Sequence, residues 1–123
     1  MASVTAKLVL TSPNVTTDDL SITVENLLTV GVGGVSTIDL GGSVNTGSAR
    51  VLAVAANYTT PAYVYMRNKD TGGNTITFEI PDGTGIGILK AGEFTWIPWN
   101  GTTDIAVFGS QANMTLEWGI FTS

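Results

Sequence analysis

The stretch LKAGEFTWIPWNGTTDIAVFG, Leu89 to Gly109, holds the densest aromatic cluster of the chain: Phe94, Trp96 and Trp99 lie within six residues. In an extended strand, side chains alternate between the two faces. Phe94 and Trp96 then point one way, and Thr95, Ile97 and Trp99 the other. The two tryptophans can share a face only if Pro98 inserts a bulge. Pro98 has no N–H to donate, so it suits a strand end, an edge or a bulge. Asn100-Gly101 suits a tight hairpin turn, and the next strand then offers Ile105 and Val107 on one face. Phe94, Trp96 and Trp118 are expected as core anchors, because a buried aromatic ring removes on the order of 150–250 Å² from water. Trp99 has no core assignment. It packs under a loop, at a subunit contact or on a ligand, and is expected to be more exposed than Trp96.

The same period-two alternation recurs outward from this segment. Val4, Ala6, Leu8 and Leu10 alternate with Thr5, Lys7, Val9 and Thr11. Leu20, Ile22 and Val24 alternate with Ser21, Thr23 and Glu25. Here Leu20, Val24, Leu27 and Leu28 also lie at helical spacing, and Thr16 or Thr17 could cap a helix. The consecutive β-branched Ile22, Thr23 and Val24 favour a strand. Ile38 and Leu40 mark a short strand. Val51–Ala56 is a nearly continuous apolar run, which suits a strand buried on both faces. Tyr63 and Tyr65 alternate with Ala62, Val64 and Met66, and Ile76, Phe78 and Ile80 with Thr75, Thr77 and Glu79. NKDTGGN and PDGTG read as turns. Three strands follow, near Phe94–Trp99, Asp104–Phe108 and Met114–Phe121. Eight to ten short strands with frequent turns predict an all-β fold, an antiparallel β-sandwich or jelly roll, as a single domain over residues 1–123.

Composition agrees with that class and excludes several functions. Charged residues make up only 12% of the 123 residues, about half the usual share. There is no Cys and no His, which removes disulfides, thiolate nucleophiles, the usual zinc sites and imidazole acid–base chemistry. The net charge is −5, and Lys7, Arg50, Arg67, Lys69 and Lys90 are scattered. Polyanion binding needs clustered bases that release counterions, so no nucleic-acid partner is expected. MASVTAKLVLTSP lacks the apolar run of a secretion signal, and no segment approaches the roughly 20 apolar residues of a membrane span. The expectation is a soluble chain made in the cytoplasm, with no membrane partner.

Acid–base catalysis is left to carboxylates. Glu93 and Glu117 could be neighbours across C-terminal strands, but each alternates with apolar residues and reads as solvent-facing. Asp18-Asp19, Asp70, Asp82 and Asp104 sit in or beside turns, where Asp is common for its own backbone hydrogen bonds. Two of them could supply a calcium site, although the spacing matches no EF-hand. GVGG and GTGIG lack the lysine and following helix of a phosphate loop and read as flexible turns. The Asn-x-Thr triplets at Asn14, Asn57, Asn100 and Asn113 reflect composition. No enzyme, cofactor or metal is expected.

Three segments carry a resemblance: DDLSITVENLLTVG; PAYVYMRNKDTGGNTITFEI, a strand ending in Asn before a turn and a partner strand; and IGILKAGEFTWIPWNGTTDIAVFGSQANMTLEWGIF. In that order they resemble small β-structural virion proteins of tailed bacteriophages, cyanophages especially, and together they make up 70 of the 123 residues. The pair of tryptophans in TWIPWN departs from that pattern. The resemblance implies a non-enzymatic virion protein, a capsid decoration (cement) subunit bound to the major capsid protein and to other virion proteins. It implies homo-oligomers, with a trimer favoured. A tail, neck or fibre component is the neighbouring alternative. A carbohydrate- or surface-binding sandwich is the other, with Trp99 and Tyr63 or Tyr65 as the contact residues.

Overall fold

The computed structural model describes residues 2–14, 19–31, 33–58 and 62–122. Thr16, Thr17 and Asp18, considered above as caps or metal ligands, lie outside them. Where one domain over 1–123 was expected, the contacts divide the chain into two compact units, Met1–Gly31 and Val32–Ser123. The first is an antiparallel ribbon of β1 (Ala2–Ser12) and β2 (Leu20–Val30), in register from Ala2↔Val30 to Ser12↔Leu20. The segment that helical spacing left ambiguous is therefore strand. Its β-branched run prevails over the i, i+4 leucines.

The second unit contains β3 (Val35–Asp39), β4 (Arg50–Ala53), β5 (Ala62–Asn68), β6 (Ile76–Glu79), β7 (Gly85–Leu89), β8 (Phe94–Trp99), β9 (Ile105–Gly109) and β10 (Thr115–Thr122). They form two four-stranded antiparallel sheets, ordered β3-β10-β5-β8 and β4-β9-β6-β7. Within this unit only the β6–β7 connection stays in one sheet; every other connection crosses between the two. Those orders and crossings are the topology of an eight-stranded jelly roll. Asn100-Gly101 accordingly closes no hairpin. Gly101 takes φ 70° and the Asn100 carboxamide accepts from the Thr102 N–H at 3.0 Å, and the chain passes from β8 in one sheet to β9 in the other. No described helix is long and apolar enough to cross a membrane.

The core fills the space between the sheets. Ala62, Val64, Met66, Leu116 and Ile120 from one sheet meet Ile76, Phe78, Leu89, Ile105 and Val107 from the other. Register then fixes the orientation of β8, since Trp99 lies opposite Ala62, Ile97 opposite Val64 and Thr95 opposite Met66. The alternation read from the sequence is present, but its two faces are exchanged. Trp99 is 6% exposed and inside, while Phe94 is 63% exposed and outside. Beside the small Ala62 of β5 stands the Trp99 indole. Its Nε1 donates to the Thr103 carbonyl at 3.0 Å, and the Tyr58 ring meets it edge-on at 5.8 Å. Trp118 lies on the core side, partly buried against the same cluster.

Two further segments differ from the sequence reading. Val51–Ala56 is not a strand buried on both faces: β4 is an edge strand, Val51 is 43% exposed, and Ala55–Asn57 form a 3-10 turn. The Asp104 carboxylate accepts the Ala55 N–H at 2.8 Å and stops the strand there. Strand β7, by contrast, was read as part of a flexible glycine turn. Gly87 stands opposite Phe78, and a Cβ there would lie 2.6 Å from the Phe78 ring. That glycine serves close packing, a use of strand glycine that composition alone does not reveal.

Asn68, at the end of β5, joins the two sheets. Fully buried, its amide Nδ2 donates to the carbonyls of Leu89 and Asn74, both at 3.0 Å. Its Oδ1 accepts the Asp70 N–H at 2.9 Å. Asn68→Ala leaves these groups without partners, each costing about 1–3 kcal/mol if it stays dry. The expected result in urea unfolding is a midpoint lowered by about 2–4 kcal/mol in stability at unchanged slope. A loss below about 0.5 kcal/mol, the usual range for surface changes, would show that the amide is not a buried link.

Candidate functional site: an aromatic outer face

The parity that buries Trp99 turns the alternate residues of β5, β8 and β10 to the other side of the sheet. Successive cross-strand rows are Phe121, Tyr63 and Pro98; then Gly119, Tyr65 and Trp96; then Glu117, Arg67 and Phe94. The first two rows carry aromatics, and the rings meet diagonally between them. Tyr63 and Trp96 stack with centroids 5.5 Å apart and planes at 15°. Trp96 and Phe121 lie 5.3 Å apart, tilted by 40°. These pairs are worth about 0.5–1.5 kcal/mol each beyond their buried area. The cluster is therefore held in shape before anything docks on it. Tyr63, Tyr65, Trp96 and Phe121 are partly buried, and Phe94 and Arg67 are exposed.

Glycines make the face possible. A Cβ at Gly33 would strike the Phe121 ring at 2.4 Å, and one at Gly119 would strike the Gly34 carbonyl at 2.3 Å. Gly33 and Gly34 thus let the chain pass closely over β10 beside Phe121. Beside it, Gly33, Gly34, Val35, Tyr58, Trp118 and Gly119 border an open depression of about 330 Å³.

The polar groups at this face are linked to one another. The Tyr65 hydroxyl donates to Glu117 Oε1 at 2.5 Å. Burial, then the Glu117 hydrogen bond and charge, push the Tyr65 phenol above its ordinary value, while Arg67 opposes the shift. Glu117 and Glu93 are not cross-strand neighbours. Glu93 lies in the turn before β8, and Arg67 of β5 stands between Glu117 and β8. Of the sequence candidates, the structure brings Tyr63, Tyr65, Phe94 and Trp96 together, and excludes Trp99 from the face. Phe121 was not foreseen. Its signal was its parity with Glu117 and Gly119 on the last strand, opposite to that of Trp118.

The turn carboxylates serve their own turns. Asp70 accepts the N–H groups of Asn74 and Gly72 at 3.0 and 2.9 Å, and these donors hold its carboxyl below the usual range. Asp82 accepts the Thr84 N–H at 2.8 Å, with the same consequence. Among the described residues no group of three or more acidic, His or Cys side chains is placed to hold a metal ion. On the other sheet Glu79 is buried, a position its alternation with apolar residues did not suggest. Its Oε2 accepts the Thr46 hydroxyl at 3.2 Å, so the GGSVNTGS loop lies over that sheet's outer surface.

Comparisons with protein-family models, with curated proteins and with solved structures found no match for this chain.

The Tyr65–Glu117 pair has a measurable consequence. Because burial first and then Glu117 make the folded chain hold the Tyr65 proton more tightly than the unfolded chain does, folding is favoured by this group below tyrosine's usual value of about 10. The contribution is lost as pH rises through the raised value. Ultraviolet titration of the three tyrosines is expected to find one that ionises late, absent in Tyr65→Phe. Glu117→Gln moves it back toward the ordinary range but not all the way, because burial remains. A late tyrosine that survives Tyr65→Phe would contradict the assignment.

Proposed function

We propose that this chain is a non-enzymatic structural protein of a bacteriophage virion, a decoration subunit that docks on the capsid shell through the aromatic outer face. One observation carries the docking surface: a pre-stacked Tyr63–Trp96–Phe121 cluster, flanked by exposed Phe94 and Arg67, on the solvent side of the sheet. Aromatic residues and Arg are the types enriched where proteins meet and where binding energy concentrates. The virion assignment rests on the resemblance of the three quoted segments. A jelly roll is compatible with it, because that fold recurs in capsid and lectin domains, although fold alone does not decide function.

The carbohydrate-binding reading draws on the same rings, as does a tail, neck or fibre location. The geometry favours a protein partner over a sugar. Sugar stacking needs a free aromatic plane, and the Trp96 ring already has Tyr63 and Phe121 at stacking distance. A packed, partly buried cluster with one protruding ring suits insertion into a pocket of another protein. Copies repeated over a shell would then multiply modest contacts into firm attachment.

Labelled protein added to parent-phage capsids purified without this chain is expected to bind to saturation. Trp96→Ala and Phe94→Ala are each expected to weaken binding about 30-fold, the loss typical of a contact worth about 2 kcal/mol. Circular dichroism should confirm that both variants keep the fold. Absent or unsaturable binding would contradict the proposal, and a tryptophan fluorescence shift with one glycan of a panel would support the carbohydrate reading instead.

A further inference from the structure

An end strand of a sheet leaves backbone groups unpaired, and natural sheets blunt such edges with proline, bulges, charge or a cover. The second unit has four edge strands, β3 and β8 in one sheet and β4 and β7 in the other. Three of them are blunted. The Asn68 N–H bonds the Glu93 carbonyl at 2.9 Å, so the ladder alternation puts the nitrogens of Phe94, Trp96 and Pro98 on the outer side of β8. Pro98 has no N–H to offer there. Strands β4 and β7 each meet a shift of register, at Val51 and Ala53 and opposite Phe78 and Glu79. Strand β3 has none of these devices. Its five residues pair with β10 without interruption, and Val35, Ser36 and Thr37 are exposed.

Register shows what that edge offers. The Leu40 N–H bonds the Met114 carbonyl at 2.8 Å, so Ile38 and Ser36 continue the bonds to β10. Val35, Thr37 and Asp39 turn their N–H and C=O groups away from it. Asp39 is partly engaged, its carbonyl by Arg50 at 3.4 Å and its carboxylate by the Gly41 N–H at 2.7 Å. Among the described residues, no backbone hydrogen bond outside the sheet ladder uses Val35 or Thr37. Beside them, Ser36 shares with Gly33, Gly34, Tyr58 and Trp118 the border of the open depression of about 330 Å³. That is the low end of the ~300–1,000 Å³ range of ligand pockets, a size for a side chain rather than a large cofactor. A Cβ at Gly34 would meet nothing within 4 Å, so the approach is open.

We propose that the outer edge of β3 is a strand-addition site for an extended segment of another protein, with a large apolar side chain of that segment seated in the depression. Donors and acceptors that repeat at every second residue match another extended backbone. The added residue opposite Ser36 has its side chain on the same side of the sheet as Ser36 and Trp118. A second copy of β3 does not supply that side chain, because its inward Ile38 is packed against its own core. The net charge of −5 favours a segment without acids. Strands β3 and β8 are opposite edges of their sheet, so this site is separate from Phe94 and Trp96 and goes beyond shell docking.

The probes are short peptides of alternating threonine and valine with lysine at both ends and Phe, Leu or Ala at the central valine position. Fluorescence anisotropy is expected to show saturable binding of the Phe or Leu form. Binding of the Ala form, which leaves the depression empty, is expected to be about tenfold weaker. Thr37→Pro removes an N–H that faces solvent, where an edge strand accepts proline. It is expected to weaken binding about tenfold through a lost bond and a blocked approach, whereas Thr37→Val keeps the N–H and the binding. Near-ultraviolet circular dichroism confirms that both variants are folded. Hydrogen exchange on the unaltered chain tests the same edge without a variant: the Val35 and Thr37 amides are expected to exchange fast alone and slowly with peptide bound. Absence of saturable binding by every peptide up to about 1 mM overturns the inference, as does equal binding of the Phe and Ala forms or equal binding by wild type and Thr37→Pro. Protection of those amides on concentrating the chain alone would place a second copy on the edge and also overturn it. No capsid enters these measurements, so failure here leaves shell docking standing, and failure of shell docking leaves this site standing.

Discussion

The indole of Trp99 sets the orientation of the strand on which the candidate site depends. It stands beside the small Ala62 of the neighbouring strand, and its N–H is satisfied by the Thr103 carbonyl. A buried indole without that acceptor would carry a desolvation cost of about 1–3 kcal/mol. With it, the largest side chain of the segment can lie inside. Strand alternation does the rest. Once Trp99 is inside, Ile97 and Thr95 follow it, and Phe94 and Trp96 must face outward. A shift of one residue would reverse every one of these positions.

The outer face inherits its order from that choice. Trp96 meets Tyr63 and, across β5, Phe121, because the register sets it one row away from both on the same face of the sheet. Gly33 and Gly119 remove the side chains that would crowd Phe121. Interior and candidate docking surface are two consequences of one register. Asn68 ties the sheet that carries the rings to the opposite sheet through the Leu89 carbonyl and to the turn before β6 through the Asn74 carbonyl. Such preorganisation lowers the ordering cost of binding.

Much of this was legible in the sequence. Apolar patterning located nine of the ten strands, β4 by its continuous apolar run and the others by alternation, and turn-rich composition indicated a sandwich or jelly roll. The exact bounds of β8 followed from Phe94–Trp99. Three things were hidden, each for a physical reason. The inward face of β8 was misassigned because both of its faces carry a tryptophan, so hydrophobicity could not distinguish them. The deciding partner, the Thr103 carbonyl, is a backbone group with no sequence signature. Strand β7 was hidden because Gly85 and Gly87 look like turn residues, while Gly87 in fact accommodates the Phe78 ring. The crossings between sheets were hidden because Asn-Gly favours a tight turn but does not say which sheet the chain enters next.

Hydroxyl-radical footprinting of the native chain, read residue by residue by mass spectrometry, tests this orientation most directly, because it reports side-chain exposure without altering the protein. Oxidation is predicted at Phe94 and Trp96, with Trp99 protected until the chain unfolds. Rapid oxidation of Trp99 beside protected Phe94 and Trp96 would contradict the account, because the strand would then be turned over and the aromatic outer face would not exist.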